Sequence, residues 1–375
     1  MGVRIAVPRE IFPGERRVAL DPGMAARFAQ LGAEVLFQRG AGAGAHFPDA
    51  AYQEWVRLVE QPPLAEAEVL LKVQPPTPEE AGQLREGAVL VGFLQPHRHL
   101  EMVRLLRDRK VTSFAMELVP RISRAQSMDA LSSQASISGY KAALMAAELS
   151  SVFFPMLTTA AGTVRPAKVV VIGAGVAGLQ AIATARRLGA QVEAYDIRPA
   201  AKEQVESLGA RLIDTGVKAE GSGGYARELT AEELGIQTEV LARHIALADA
   251  VISTAAIPGR AAPRIVSAAM VEAMKPGAVI VDLAAESGGN CELTRPGETL
   301  VHQDVIIHGP LNVPSLIPVH ATEMYARNLF NFLSPMISDG RLELNWEDEV
   351  IARSVLTHAG EVRHEPTLKL LETES

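Results

Sequence analysis

Short apolar runs alternate with amphipathic segments over the first third of the chain. Helical periodicity marks the segments Pro22–Leu31 and His99–Arg109. The apolar runs have the length of β-strands and lie at Arg4–Val7, Glu34–Gln38, Val69–Val73, Ala88–Phe93 and Val111–Glu117. Strands that alternate with amphipathic helices in this way predict β-α-β units and a parallel sheet.

A second series of the same kind begins at Lys168. Between the two series, residues 121–154 are rich in Ala, Ser and Met and predict a long helix that connects two domains. The strands predicted for the second series are Lys168–Ile172, Gln191–Tyr195, Arg211–Ile213, Ala250–Thr254, Ala278–Leu283 and Val305–Ile307. The pattern therefore predicts an α/β protein with two Rossmann-like, doubly wound parallel sheets joined by long helices.

The segments after the second series indicate a discontinuous first domain. Ala321–Leu333 has helical periodicity, and we expect it to return to the first domain together with Asp339–Val350. The predicted domains are residues 1–128 with 320–375, and residues 140–310. The last residues, Leu356–Ser375, are polar and lack periodicity, so we expect a mobile tail.

Composition narrows the class of protein. Lys and Arg total 36 and Asp and Glu total 44, which gives a formal net charge of −8 without any block of like charge. A general nucleic-acid or anionic-membrane surface is therefore excluded. The single cysteine, Cys291, rules out a disulfide framework, and we expect it to be a small buried or half-buried side chain. The N-terminal residues lack the apolar stretch of a signal peptide, and no apolar run reaches the roughly 18 residues of a membrane span. We expect a cytoplasmic protein without direct membrane insertion.

The most specific motif is a glycine-rich turn between a strand and a helix. Gly173, Gly175 and Gly178 follow the strand Lys168–Ile172, and Asp196 ends the next strand. Such glycines allow a tight turn, close approach of a pyrophosphate to the helix N-terminus and close helix–strand packing, while the carboxylate accepts hydrogen bonds from an adenosine ribose. The motif predicts NAD(H) in preference to NADP(H), because the Asp196 carboxylate would repel a 2′-phosphate. Arg198, two residues later, is a group that could reduce this preference. A second glycine-rich stretch, Arg39–Gly44, opens no helix, so we expect a plain turn there.

A dense polar stretch, residues 121–134, is a second candidate site. Gln126, Asp129 and Ser132 or Ser133 recur at helical steps, so we expect them on one side of the connecting helix. These groups complement a nicotinamide carboxamide, which offers one acceptor and two donors. A solvated helix start with Ser123 or Ser127 as its N-cap explains the same residues, and composition leaves both interpretations open.

Several motifs together resemble the NAD(H)-binding component, domain I, of the proton-translocating NAD(P) transhydrogenase family, which is related to the alanine dehydrogenases. They are spread over about residues 1–350 and read PREIFPGERRVAL, LLKVQPP, RISRAQSMDALSSQ, KVVVIGAGVAGLQA, YDIRPAAKEQVESLGA, GSGGYARE, VISTAAIPGRAAP, VDLAAESGGN and GPLNVPSLIPVHATEMYARNLFNFL. The resemblance implies a homodimer at the cytoplasmic face of the inner membrane, held there by a membrane-spanning subunit and a subunit that binds NADP(H). It also implies a direct, Si-type hydride transfer between the two nicotinamide nucleotides. Such a transfer moves no proton at the reacting carbons, so it requires positioning and exclusion of water rather than an acid and a base.

The resemblance also implies roles for individual residues. The catalytic set is Arg121, Gln126, Asp129, Ser132 and Tyr225, the last within a mobile loop, Gly221–Gln237, that closes over the nucleotide. The NAD(H)-binding set adds Ser123, Ser127, Met128, Gly173, Gly175, Val176, Gly178, Asp196, Ile197, Arg198, Gly224, Gln237, Ala255 and Ala256. The cofactor is expected in the cleft between the domains, and no metal site is expected.

Alanine dehydrogenase is the nearest alternative. Its substrate-binding arginine and lysine are matched by Arg17 and Lys72, but its catalytic histidine falls on Gln95 and its catalytic aspartate on Glu286. Glutamine cannot act as a general base. The nearby histidines, His97 and His99, are expected to be a solvated pair. A non-catalytic NAD(H) sensor would keep the glycine motif but has no use for the polar stretch at residues 121–134.

Overall fold

The computed structural model describes residues 2–217, 230–256 and 259–373. The chain divides into two compact units: unit 1 contains residues 1–134 and 315–375, and unit 2 contains residues 135–314. Each unit is built around a mainly parallel sheet with helices, so the predicted α/β fold with Rossmann-like sheets is confirmed.

The strands are short and mostly buried. In chain order they are β1 (Arg4–Val7), β2 (Glu34–Gln38), β3 (Arg57–Val59), β4 (Val69–Leu71), β5 (Val89–Gly92), β6 (Thr112–Ala115), β7 (Leu157–Thr159), β8 (Gly162–Val164), β9 (Lys168–Ile172), β10 (Gln191–Tyr195), β11 (Arg211–Leu212), β12 (Ala250–Ser253), β13 (Val279–Asp282), β14 (Thr299–His302), β15 (Val305–His308), β16 (Ile337–Ser338), β17 (Arg341–Leu342), β18 (Val355–His358) and β19 (Glu361–Val362).

The helices vary from one turn to more than five. In chain order they are α1 (Pro22–Gln30), α2 (Pro78–Gln83), α3 (Leu100–Asp108), α4 (Ala130–Leu149), α5 (Val176–Arg187), α6 (Ala201–Ser207), α7 (Ala231–Ala246), α8 (Ala268–Glu272), α9 (Pro318–Leu333), α10 (Glu349–Ser354) and α11 (Glu365–Thr373). In the portion of the chain that the structure describes, none of these helices is both long and apolar enough to cross a bilayer.

Unit 1 contains an eight-stranded sheet in the order β19-β18-β6-β5-β4-β1-β2-β3. The strands β1 to β6 are parallel, and every residue of β4 and β5 is buried, as expected when helices cover both faces of a sheet. The helix α1 starts with two local signals, an Asp21 side chain that accepts from the Met24 N–H at 2.8 Å and a proline in the first turn. The helix α9 packs on this sheet through Phe332, which meets Phe114 of β6 edge-on, and on α1 through Phe330, which meets Phe28.

The C-terminal segment corrects one prediction. Leu356–Ser375 is not a mobile tail over its described residues, because β18 pairs antiparallel with β6, β19 pairs with β18, and α11 follows. Leu356 and Thr357 are fully buried, and the Thr357 hydroxyl donates to the Val111 carbonyl at 2.8 Å. The buried backbone and side chains of this segment complete the edge of the unit 1 sheet.

Unit 2 contains a seven-stranded sheet in the order β11-β10-β9-β12-β13-β15-β14. All neighbours are parallel except β14, which runs antiparallel to β15. The chain order reverses at β9, which lies between β10 and β12. In sheets of this kind, ligands bind beyond the carboxyl ends of the strands at such a switch point. The glycine turn follows β9, so the topology places it at this point.

The connecting segment is not one long helix. Ser123–Met128 forms a 3-10 helix, and α4 begins only at Ala130, after a break at Asp129, whose φ and ψ are −72° and 86°. The helix α4 ends at Leu149 and is followed by the short hairpin β7–β8. The prediction of helix over residues 121–154 is therefore too long at both ends.

Candidate nucleotide-binding site

The turn between β9 and α5 requires glycine at its first position. Gly173 has a φ of +89°, and a Cβ atom there would lie 2.8 Å from the Thr254 hydroxyl and 3.1 Å from the Ala255 nitrogen. Gly178 is the third residue of α5, and a Cβ there would overlap the carbonyl oxygen of Gly173. Both positions therefore exclude any side chain because the strand, the helix and the segment after β12 approach each other closely.

Gly175 is a glycine for a different reason. It is the N-cap of α5, no side chain caps the helix, and a Cβ at this position would have open space on all sides. Uncapped N–H groups at a helix N-terminus, reached over a residue without a side chain, fit a phosphate group. These residues therefore fit a dinucleotide. Protein atoms occupy the space where side chains at Gly173 and Gly178 would lie, whereas the corresponding space at Gly175 is open. Val176, which begins α5, is 43% exposed beside it.

Asp196 lies where the motif predicts, at the end of β10, and its carboxylate is bound by the chain itself. It accepts from the Ala174 N–H at 2.7 Å and from the Arg198 N–H at 2.8 Å. The Arg198 guanidinium adds two bonds of 2.9 Å, one to each carboxylate oxygen. Burial alone would raise the pKa of Asp196, but the hydrogen bonds from Arg198 and Ala174 outweigh it and lower the pKa. The carboxylate is thus ionised and locally neutralised, and a ribose hydroxyl would share it with Arg198.

The segment Thr254–Ala256, which follows β12, lies against the glycine turn. The Thr254 hydroxyl donates to the carbonyls of Ile172 and Gly173 at 3.2 and 3.0 Å. The backbone of Ala255 is held by the fully buried side chain of Asn290, and Ala256 is exposed. Sequence reasoning did not identify Asn290, although it stands in the motif VDLAAESGGN, directly after two glycines.

The polar stretch before α4 is arranged differently from the prediction. Asp129 caps α4, because its carboxylate accepts from the Ser132 N–H at 2.9 Å and from the Ser132 hydroxyl at 2.6 Å. Gln126 lies in the preceding 3-10 helix and is exposed. The prediction of one continuous helical side is therefore wrong, and so is the alternative in which Ser123 or Ser127 is the cap. The polar groups of this stretch come from two elements joined at Asp129.

The rest of this stretch has mixed roles. Met128 is 8% exposed and packs in the unit 1 core, whereas Arg121, Ser123 and Ser127 are exposed. The Ser127 carbonyl accepts from the side chain of Asn328 at 2.9 Å, which fixes the 3-10 helix on α9. The backbone of the 3-10 helix Ser123–Met128 is therefore fixed to unit 1, while most of its polar side chains are exposed.

The predicted mobile loop falls largely outside the described residues, and Gly224 and Tyr225 are among those that lie outside. The end of the predicted loop is helical, since α7 starts at Ala231 with a capping box between Thr230 and Glu233. Gln237 is accordingly a helix residue, 9% exposed, and its Oε1 has no hydrogen-bond partner among the described residues.

The position that separates the two enzyme interpretations is rigid. Gln95 has a φ of +44°, and its N–H and that of Leu94 donate to the carboxylate of Glu117. Burial raises the pKa of Glu117 to about 7 in spite of these bonds. His97 is exposed as expected, whereas His99 is half-buried, and burial lowers the pKa of both.

Arg17 and Lys72 are buried in ion pairs. Arg17 contacts both carboxylate oxygens of Glu15, with a shortest distance of 2.6 Å. Lys72 is 2.8 Å from Glu80 and 3.4 Å from Glu10. Both cations have structural partners, so their presence alone does not indicate a carboxylate substrate.

Cys291 and Glu286 are both engaged within unit 2. Cys291 is fully buried, as predicted, and burial raises the pKa of its thiol. The Glu286 carboxylate accepts from the Asn312 N–H. Within the described ranges, no cluster of three His, Cys, Asp or Glu side chains could hold a metal ion.

Comparison with known proteins gives matches across both units. Residues 6–138 match the model described as "Alanine dehydrogenase/PNT, N-terminal domain", and residues 142–365 match that described as "Alanine dehydrogenase/PNT, C-terminal domain". The first portion of the divided NAD(P) transhydrogenase subunit alpha of Rhodospirillum rubrum is 45% identical over 376 residues, with 96% of this chain and 98% of the relative covered. A crystal structure of transhydrogenase from Sinorhizobium meliloti is 45% identical with a TM-score of 0.88, covering 96% of this chain and 99% of that one. An L-alanine dehydrogenase structure is 26% identical with a TM-score of 0.83, covering 100% of both chains.

Proposed function

Because the chain belongs to the alanine dehydrogenase/PNT family, we propose that it is the NAD(H)-binding subunit of a proton-translocating NAD(P) transhydrogenase. The observation that carries the proposal is the open position at Gly175, set between two glycines that protein atoms fill. The 45% identity to a transhydrogenase subunit over nearly the whole chain supports the choice of reaction.

In this proposal, unit 2 binds the adenosine and pyrophosphate end of the nucleotide. The N-terminus of α5, reached over Gly175, would hold the pyrophosphate, and Asp196 with Arg198 would hold the adenosine ribose. Val176, Ile197, Gln237, Ala255 and Ala256 would complete the binding surface.

Unit 1 would hold the nicotinamide end through Arg121, Gln126, Asp129 and Ser132, whereas Tyr225, the remaining member of the predicted catalytic set, lies outside the described residues. When bound, NAD(H) supplies or accepts the hydride, and NADP(H) on a partner subunit is the other reactant. The chain itself orients one ring and excludes water, which suits a Si-type transfer between two nicotinamides because no proton is exchanged at the reacting carbons. Gln95 fits this chemistry because the reaction needs no general base.

A second copy of this chain is the partner that we propose for an exposed apolar surface around the hairpin β7–β8. Phe153 and Met156 are 56% and 65% exposed, and Val152, Leu157 and Val164 beside them are also exposed. Clustered apolar side chains of this kind are typical of association surfaces. Sedimentation equilibrium of the full chain should show a dimer, and a monomer at all concentrations would contradict this element of the proposal.

The remaining partners are a membrane-spanning subunit and an NADP(H)-binding subunit, which would couple the transfer to proton translocation. They would place this chain at the cytoplasmic face of the inner membrane. The subunit designation of the relatives supports an association with other subunits.

Alanine dehydrogenase is the second candidate, favoured by the structural match that covers the whole chain. That reaction requires a base at the position where this chain has Gln95, and an amide side chain cannot accept the proton. A non-catalytic NAD(H) sensor would leave the polar groups at Gln126 and Asp129 without a role toward a second nucleotide.

The decisive assay mixes the purified full chain with the NADP(H)-binding and membrane subunits and follows reduction of an NAD analogue by NADPH. Transfer that depends on both the chain and the partner is the expected result. The chain alone, given NADH, pyruvate and ammonium, is the control. Robust amination of pyruvate together with no transfer between nucleotides would establish the alanine dehydrogenase interpretation instead.

A further inference from the structure

One buried amide joins two segments of unit 2 that are distant in the sequence. Asn290 has no exposed surface, and it follows Gly288 and Gly289, whose φ angles are +103° and +84°. Its Oδ1 accepts from the Ala255 N–H at 3.0 Å, and its Nδ2 donates to the Ala255 and Pro263 carbonyls at 2.8 and 2.9 Å. The amide thus uses its acceptor and both donors on backbone groups.

The backbone that Asn290 holds is the wall of the glycine turn. The Ala255 nitrogen lies 3.1 Å from the point where a Cβ of Gly173 would be. The two segments are thus separated by little more than the space of one methyl group, and a shift of the Ala255 backbone would change the width of the turn beside Gly173. The position of Ala255 therefore determines the shape of the crevice beside the N-terminus of α5.

The residue that follows Asn290 is held by a buried carboxylate. Asp282, at the end of β13, is fully buried and accepts from the Cys291 N–H at 3.0 Å and from the Thr294 hydroxyl at 2.7 Å. The same carboxylate accepts from the Ser253 hydroxyl at the end of β12 at 2.9 Å. Hydrogen bonds therefore fix the backbone next to Asn290 to the ends of β12 and β13, and this fixes the position from which the Asn290 side chain extends.

We propose that Asn290 is a positioning residue for NAD(H): it sets the backbone of Ala255, and through it the crevice that receives the dinucleotide. The proposal rests on the proposed NAD(H)-binding function. It gives the paired motifs VDLAAESGGN and VISTAAIPGRAAP one physical role. Two positive-φ glycines precede the asparagine in the first motif, and its side chain holds the backbone of Ala255 and Pro263 in the second.

The test measures the Kd of NADH for the full chain and for two variants. Asn290→Ala removes all three hydrogen bonds. Asn290→Asp keeps the shape and the acceptor for the Ala255 N–H but replaces the donor group by an oxygen that repels two carbonyls. Both should weaken NADH binding about tenfold, because partners of a buried amide are left without hydrogen bonds and Ala255 is released.

A matched control separates positioning from general stability. Val305→Ala removes methyl groups from a fully buried side chain at the amino end of β15 in the same unit, whereas Ala255 follows the carboxyl end of β12, which runs in the same direction. It should lower the Tm of the protein yet leave the Kd within about twofold. Hydrogen exchange of the wild-type Ala255 amide gives a readout that requires no variant, and this amide should be strongly protected without nucleotide.

Each outcome is decisive. Wild-type protein that binds no NADH would overturn the proposed function and this proposal with it. If the wild type binds NADH, then unchanged affinity in folded Asn290 variants, or an Ala255 amide that exchanges freely, would overturn the role of Asn290 alone. An equal loss of affinity in Val305→Ala would likewise reduce Asn290 to a stability residue.

Discussion

Replacing Asp196 should reverse some of the preference for NADH over NADPH. In Asp196→Ala, the buried Ala174 N–H loses its acceptor at 2.7 Å, inside the glycine turn itself. Leaving such a group without a partner costs about 1–3 kcal/mol of stability in the free and the bound protein alike, whereas the lost hydrogen bond from the ribose to the charged carboxylate weakens binding by about 1.5–3 kcal/mol. Since 1.4 kcal/mol corresponds to tenfold in affinity, we expect NADH binding to weaken by about ten- to a hundredfold.

The same change should favour NADPH through the charge of Arg198. In the wild type, Asp196 and Arg198 form a neutral pair, with two bonds of 2.9 Å. Removing the carboxylate leaves a cation beside the site of a 2′-phosphate. Opposite charges about 4 Å apart attract by about 4 kcal/mol at an effective dielectric constant of 20. The Arg198 side chain is 35% exposed, so we discount this to about 1 kcal/mol. The NADH-to-NADPH affinity ratio should therefore fall by about a hundredfold.

Isothermal titration of both nucleotides against the full chain measures this ratio. Arg198→Ala is the matched control, because it leaves an unpaired carboxylate and should widen the preference for NADH. Asp196→Asn keeps an acceptor for Ala174 and should show the change in preference with a smaller loss of NADH affinity. An unchanged ratio in both Asp196 variants, or a shift in the same direction in Arg198→Ala, would refute the reasoning.

Three further predictions concern both units. Gln126→Ala should lower the rate of hydride transfer far more than the NADH affinity in the reconstituted assay. Asp129→Ala should do the same and should also lower the free energy of unfolding by about 1 kcal/mol, because the helix cap is lost. Asp129→Asn should keep the stability but lower the rate of hydride transfer. The pKa of Glu117 is raised from 4.5 to about 7, so its contribution to the free energy of unfolding is fully present below pH 4.5 and is lost as the pH rises through 7. Glu117→Gln should remove this pH dependence, which amounts to at most about 3 kcal/mol in denaturant titrations. A wild-type stability that stays constant over that pH range would contradict the prediction. Gly178→Ala should destabilise the protein by about 1–3 kcal/mol through overlap with backbone, while Gly175→Ala should fold normally and bind NADH poorly, and equal thermal shifts in the two would count against the open site.

The central strands were predictable because their burial produces continuous apolar runs. The predicted β1, β2, β9 and β10 coincide with the observed strands. Parallel strands covered on both faces carry this signal in every residue. The edge strand β14 carries none, since Thr299–His302 alternates between exposed and half-buried positions.

Other features were not predictable because their partners are distant in sequence. The strand β18 has only four residues, and its place was determined by pairing with β6, more than two hundred residues earlier. The break at Asp129 was also missed, because a residue spacing of three fits a helix and a capping turn equally well. In the site, the glycines and Asp196 were found by their local pattern, but Asn290 acts on Ala255 across 35 residues and has no local pattern of its own.

The pairing of β18 with β6 has a consequence for how the chain acquires its structure as it leaves the ribosome. Residues 135–314 form unit 2 without interruption, so all strands of this unit have been synthesised before residue 315 and those after it are translated. Unit 1 begins first but is completed last, since its sheet edge waits for Val355–His358. At roughly 5–20 residues per second, synthesis from residue 315 to residue 358 takes about 2–9 s, and β6 has an unpaired edge until then. Unit 2 therefore has its full set of strands before unit 1 does, and until β18 is made the edge of β6 is open to pairing with a wrong strand.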